Sequence, residues 1–231
     1  MIKECLKNRV LRFAYKVNNL DYQFEINSNF ENQHCVVIQD LNDSLLSIRI
    51  LPKCSITIES LELKLNYKFT DELIYVNGYQ SWTDSKEFFV DEKMKTLSRL
   101  AKPLLPHYQF DKYGDYNFKT YSNIAGDFHG YTYGYIRSGN NYQFIGSLSE
   151  KEGYTIINTS VRNNEIVIEK ECKDHVINSE YHAFNLFFMT GSENVVFDTY
   201  FEKMRIKKPT SKPMTGWTSW YNYYQNISES I

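Results

Sequence analysis

The stretch 54–69, CSITIESLELKLNYKF, constrains the fold more than any other part of the chain. Ile56 and Ile58 fall on even positions, whereas Leu61, Leu63, Leu65, Tyr67 and Phe69 fall on odd ones. Side chains of a strand point alternately to its two faces, so apolar residues at every second position mark a strand with one buried face. The phase changes at Glu59–Ser60. A one-residue slip swaps the faces, so a β-bulge or a turn is predicted there.

Similar runs recur along the chain. RVLRFAYKV, DYQFEIN, HCVVIQ and LLSIRIL precede this stretch, and GYTYGYIRS, NYQFIGSLS, YTIINTSV, NEIVIEKE and YHAFNLFFMTG come later. SGNN and VRNNE between them are hairpin turn signals. The aromatic share of 16%, with 19 Tyr and 15 Phe, suits strands. A chain of 231 residues is common for one large all-β domain. It buries roughly 70% of its unfolded surface, so it needs no disulfide or metal to fold.

Two segments break the pattern. Met94, Leu97 and Leu100 are spaced as on a helix, which Pro103 and Pro106 end. GSENVVFDTYFEKMRI reads as an amphipathic helix. Ser192 stands at its N-cap, Glu193 in its first turn, and Val196, Tyr200 and Met204 recur every four residues. KKPTSKP then reads as a linker. The chain thus divides into a β-sandwich domain over 1–206, a linker over 207–213 and a tail over 214–231. In the tail, MTGWTSW is a short strand candidate and NISESI a helix start. A strand followed by a helix is how an α/β domain opens.

Several function classes are excluded. A formal net charge of −2 gives no electrostatic case for nucleic acid or an anionic membrane. No stretch reaches the ~18 apolar residues of a membrane span. Cys5, Cys35, Cys54 and Cys172 are scattered, so neither a zinc site nor a disulfide framework follows from them. MIKECLKNRV lacks the apolar run of a secretory signal, and a cytoplasmic location is expected. The five histidines form no H-x-H or H-E-x-x-H pattern, and no phosphate-binding glycine loop occurs. No metal or cofactor is therefore expected.

Against this background GWTSWYNYYQNISE resembles the segment that opens the catalytic barrel in α-galactosidases of glycoside hydrolase family 36 and related clan members. VNGYQSWTDS (Val76 to Ser85) is similar to a motif of the same family's N-terminal domain. HGYTYGYIR and FDTYFEKMRIKKP add weaker likenesses, so the resemblance runs from about residue 76 onward. It implies a mainly β architecture, a large antiparallel β-supersandwich with one or two helices, followed by the start of an incomplete (β/α)8 barrel. It implies a role as the non-catalytic N-terminal domain of a retaining glycosidase acting on terminal α-galactosides, a galactoside-type carbohydrate as the complete enzyme's ligand, and homo-oligomers. Such enzymes place two catalytic aspartates on later barrel strands, and retention needs those carboxyls ~5 Å apart. Neither segment occurs in this sequence, so no catalytic residue is assigned and the chain alone is expected not to hydrolyse glycosides. A free-standing carbohydrate-binding β-sandwich is the alternative, with Trp82, Tyr131 and Tyr133 as its stacking platform.

The resemblance makes Trp82, Trp217, Ser219 and Trp220 candidate substrate-binding residues. Asn77–Gly78 is a strong turn pair. The loop after it either presents Trp82 to a sugar, with Gln80 or Asp84 bonding a hydroxyl, or buries Trp82 beneath itself. Trp217 and Trp220 either line a sugar pocket or fill a barrel core. Asp71, Glu72, Asp84, Asp91, Glu92, Asp111, Asp115 and Asp127 read as solvated turn residues, any two of which could converge as an acid/base pair. His129 reads as a turn histidine or as a partner of Asp127.

Overall fold

The computed structural model describes residues 2–80, 83–95, 103, 118–205, 215, 216, 218, 226, 228 and 229. A helical turn, α1 (Ile2–Cys5), precedes strands β1 (Val10–Val17), β2 (Leu20–Ile26), β3 (Phe30–Glu31), β4 (Cys35–Asn42) and β5 (Leu45–Pro52). Then come β6 (Ile56–Asn66), β7 (Leu73–Val76) and β8 (Lys86–Phe89). Strands β9 (Asp127–Tyr131), β10 (Tyr133–Ser138), β11 (Asn141–Ser147) and β12 (Thr155–Ser160) follow. The last are β13 (Glu165–Lys170), β14 (Val176–Ile177) and β15 (Tyr181–Gly191), before helix α2 (Glu193–Lys203).

Among the described residues these strands form two antiparallel sheets. The seven-stranded sheet runs β2-β1-β6-β13-β12-β9, with β14 also on β6; the eight-stranded sheet runs β3-β4-β5-β15-β11-β10-β7-β8. Inward-facing residues of both sheets merge into one hydrophobic cluster, from Phe13 and Leu63 on one side to Ile48 and Phe184 on the other. That is the layered arrangement by which two half-apolar sheets hide their faces.

The alternation at 54–69 folds as β6. Its even-position residues Ile56 and Ile58 and odd-position residues Leu61, Leu63 and Leu65 are all 0% exposed. Ala14 pairs Ser60 but Tyr15 pairs Ile58, so Glu59 is the extra residue of a bulge. The bulge lets both phases face one core. It also turns the Glu59 carboxylate toward Lys16 Nζ, 2.6 Å away. Each aliphatic side chain so buried contributes about 1.5–3 kcal/mol relative to exposure.

The hairpin signals hold. SGNN joins β10 to β11 with Ser138 opposite Asn141, and Gly139 takes φ 58°. VRNNE joins β12 to β13 with Ser160 opposite Glu165, and Asn164 takes φ 52°. Between β9 and β10 the chain passes from one sheet to the other at a single left-handed residue, Thr132, with φ 66°.

Helix α2 lies on the eight-stranded sheet against β11 and β15. Val196 and Tyr200 are buried there with Tyr142, Phe144 and Phe187, as the spacing predicts. Ser192 takes the N-cap position without a side-chain cap bond. The first turn is instead tied to the sheet, where Tyr142 Oη donates to Glu193 Oε2 at 3.1 Å. The mid-chain helix predicted around Met94 to Leu100 lies outside the described residues beyond Lys95; Met94 itself is non-helical and buried. The linker over 207–213 and nearly all of 214–231 also lie outside them. All four cysteines are free thiols, and no helix among the described residues is long and apolar enough to cross a membrane.

Beside α2, the outer face of the eight-stranded sheet carries a tyrosine stack. Tyr75 and Tyr135 lie 4.7 Å apart at 5°. Next to them Arg137 grips Glu87 in a fork, with Nε and Nη2 each 2.6 Å from a carboxylate oxygen, and Tyr135 Oη adds a bond at 3.0 Å. The Arg137 guanidinium, helped by that hydroxyl, holds the Glu87 carboxyl below its ordinary value of 4.5. The unfolded chain therefore takes up this proton first as pH falls. The pair's contribution is complete above pH 4.5 and is lost as pH drops through the folded value. Glu87→Gln is expected to lower stability by about 1 kcal/mol at neutral pH and by progressively less in acid. Urea titrations at pH 7 and pH 3 measure the difference.

Candidate functional site

A concentration of polar side chains lies on the outer face of the seven-stranded sheet, around β9. Asp127, His129 and Tyr131 alternate along β9 on that face, opposite Ser160, Asn158 and Ile156 of β12. Glu165, Val167 and Glu169 of β13 continue it. The period of two thus places carboxylates, amides and hydroxyls from three strands side by side. Among the described residues no further strand continues the sheet beyond β9, and the His129 N–H donates to Met94 Sδ at 3.3 Å.

These strands and the segment from Lys119 to Ser122 enclose a cleft of about 290 Å³. Asp127 holds its floor. Its Oδ1 accepts from Ser160 Oγ at 2.9 Å and its Oδ2 from Ser122 Oγ at 3.0 Å. Lys119 Nζ donates to Glu169 Oε2. Asn158 Nδ2 donates to the Val167 carbonyl at 3.1 Å and to Glu169 Oε2 at 3.4 Å. Lys64 Nζ meets Glu165 Oε2 at 2.5 Å. The amide oxygen of Asn158 accepts no hydrogen bond from the described residues, and the exposed Thr120 and Asn163 rim the cleft.

An aromatic cluster adjoins it. His129 stands edge-on to Tyr121 at 4.7 Å and to Tyr131 at 6.1 Å. Tyr79 packs on Tyr131 and Phe118, each at 5.1 Å, and on Tyr154 at 5.3 Å. Each such pair adds about 0.5–1.5 kcal/mol beyond its buried area. Tyr79 belongs to the loop 77–85, whose base is clamped to β9. Asn77 Nδ2 donates to the Tyr131 carbonyl at 3.0 Å, and the Tyr131 N–H donates to the Asn77 carbonyl at 2.8 Å. Thr83 closes the loop: its N–H and Oγ1 both donate to the Gln80 carbonyl, and its Oγ1 accepts from the Gln80 N–H. A Cβ on Gly78 would lie 2.4 Å from Thr83 Oγ1 and 2.9 Å from the Asp84 carbonyl. Gly78 is therefore required for close approach, and its φ is not in the left-handed region.

The four sequence candidates, Trp82, Trp217, Ser219 and Trp220, lie outside the described residues. Gln80 and Asp84 are half-buried in the loop. Tyr131 and Tyr133 form no exposed platform. Tyr131 is 3% exposed beneath Tyr79, and Tyr133 stacks on Tyr75 in the other sheet. The turn at Thr132 separates them. Asp127 and His129 are strand residues, not turn residues, and His129 is buried. Glu72 is also buried, because it accepts from the Thr70 N–H at 2.6 Å and from Tyr67 Oη at 3.4 Å. Asp111 and Asp115 lie outside the described residues.

The carboxylates of the cleft are each engaged by a hydroxyl or an ammonium. Two serine hydroxyls occupy only two of the roughly four acceptor positions of the Asp127 carboxylate, so it keeps acceptor capacity in the cleft that it lines. No group of His, Cys, Asp and Glu among the described residues could hold a metal ion. No protein-family model matches the chain, and no curated protein matches it.

Proposed function

We propose that this chain is the non-catalytic N-terminal β-sandwich domain of an α-galactosidase-like retaining glycoside hydrolase, and that its loop 77–85 contributes to sugar recognition. The observation that carries the reading is the construction of loop 77–85. The stretch NGYQSWTDS, which resembles the family motif, is clamped to β9 by the paired Asn77–Tyr131 bonds and closed by Thr83. The bonds at Asn77 and between Gln80 and Thr83 hold the described parts of the loop without a ligand, which lowers the ordering cost of binding.

Calorimetric titration with methyl α-galactoside and an assay with nitrophenyl α-galactoside test this. The expected result is saturable binding, tighter for the galactoside than for methyl α-glucoside, that Trp82→Ala abolishes, with no release of nitrophenol by the chain. Hydrolysis of the nitrophenyl substrate, or galactoside binding that Trp82→Ala leaves unchanged, would overturn the reading.

A further inference from the structure

The cleft on the outer face of the seven-stranded sheet is built from residues that loop 77–85 does not supply. Its groups come from β9, β12, β13 and the segment around Lys119, held by the bonds described above. We propose that this cleft is a separate binding site for one neutral, polyhydroxylated ring, a monosaccharide.

Three observations select that ligand class. The first is charge. Lys119 is paired with Glu169 and Lys64 with Glu165, while the Asp127 carboxylate keeps its charge and accepts from two serine hydroxyls. An anion would face Asp127 and Glu165, and no group of side chains among the described residues could hold a metal ion. A neutral ligand enters without breaking a pair, which avoids the cost of leaving a partly buried charge alone. The second is hydrogen-bonding capacity. The Asn158 amide oxygen and the free lone pairs of Asp127 accept from ligand hydroxyls. The Asn163 amide and the Thr120 hydroxyl at the rim donate to them. Vicinal hydroxyls match such neighbouring donors and acceptors. The third is size. About 290 Å³ is at the lower end of ligand pockets, so the cleft takes a single ring and no extended chain. The edge of the His129 and Tyr121 pair beside it offers apolar surface to ring C–H groups.

The proposal shares its ligand class with the proposed function but not its residues, so the two fail separately. The test is NMR titration of the labelled chain with galactose, glucose and myo-inositol, alongside Ser160→Ala, Asn158→Ala, Asn163→Ala and Trp82→Ala variants with melting curves. The expected result is saturable shifts in amides of 119–129 and 158–165, with a dissociation constant on the order of 1 mM. Asn158→Ala and Asn163→Ala should each weaken binding about tenfold, the loss of one or two good hydrogen bonds. Trp82→Ala should leave these shifts unchanged. Asn163 is exposed, so its variant decides the matter even if Asn158→Ala melts early. Absence of saturable shifts in the cleft with all three ligands overturns the proposal. Binding that survives Asn163→Ala and well-folded Asn158→Ala at full strength also overturns it, whatever Trp82→Ala does.

Discussion

Gly153→Ala is expected to cost the protein on the order of 3–5 kcal/mol, a large share of the total stability of a typical domain. Gly153 has φ 118°, where a side chain is strained, and an added Cβ would lie 1.9 Å from the Glu171 carbonyl oxygen. That neighbour is backbone, so no rotamer change relieves the clash. The Glu171 carbonyl cannot retreat easily either. Its own N–H is bonded to the Tyr154 carbonyl at 2.8 Å, and Lys170 Nζ donates to the Gly153 carbonyl at 3.1 Å. A melting temperature lower by roughly 10 °C is expected, from the usual 2–4 °C per kcal/mol for a chain of this size. Gly139→Ala is the control. Gly139 also has positive φ, 58°, but nothing lies within 4 Å of its added Cβ. It should lose only the conformational part, about 1–2 kcal/mol. Equal losses in the two variants would show that the contact with Glu171 is not what matters.

Tyr200→Ala is expected to have the second largest effect, about 3–5 kcal/mol, the usual cost of deleting a buried aromatic ring. Tyr200 is 1% exposed and packs on Phe144 at 4.8 Å and Phe187 at 6.1 Å. Its hydroxyl donates to the Ser147 carbonyl at 2.7 Å. Tyr200→Phe keeps the ring and should cost only about 1 kcal/mol for the lost bond. Helix α2 has 11 residues, too short to persist alone in water, so its order depends on this docking. Hydrogen exchange therefore separates local from global effects. In Tyr200→Ala the amides of 196–203 should lose protection before those of β6. Loss in both places together would mean that the helix and the sandwich unfold as one.

How much of this was legible beforehand depends on the range of the interaction. The β6 bulge could be seen because the phase change at Glu59 is a local property of a one-dimensional pattern. The buried face of α2 and the two hairpins were legible for the same reason, since helix spacing and turn residues act within a few positions. The order of strands was not, because β6 sits between β1 and β13, which come from distant parts of the chain. The cleft depends on that order. Asp127 looked like a solvated turn residue because its partner, Ser160, is 33 positions away. His129 precedes Gly130, which imitates a turn, yet it is a strand residue that contacts Met94 and Tyr121. The Asn77–Gly78 pair reads as a turn from the sequence, and in the structure Gly78 serves a close approach to Thr83 and Asp84 instead.

The two sheets also set the order in which the molecule can be made. In each, a strand from the first third of the chain is flanked by one from the last third: β6 pairs β13, and β5 pairs β15. A nascent chain that has emerged only as far as β8 exposes one whole edge of each half-sheet, with Leu46, Ile48, Leu63 and Leu65 lacking their eventual cover. Such long-range pairings place a chain among the slow folders, and unpaired edges are where association between chains begins. Completion must wait for β15, so an arrest of translation before residue 181 leaves a polypeptide suited to chaperone capture rather than a smaller stable domain.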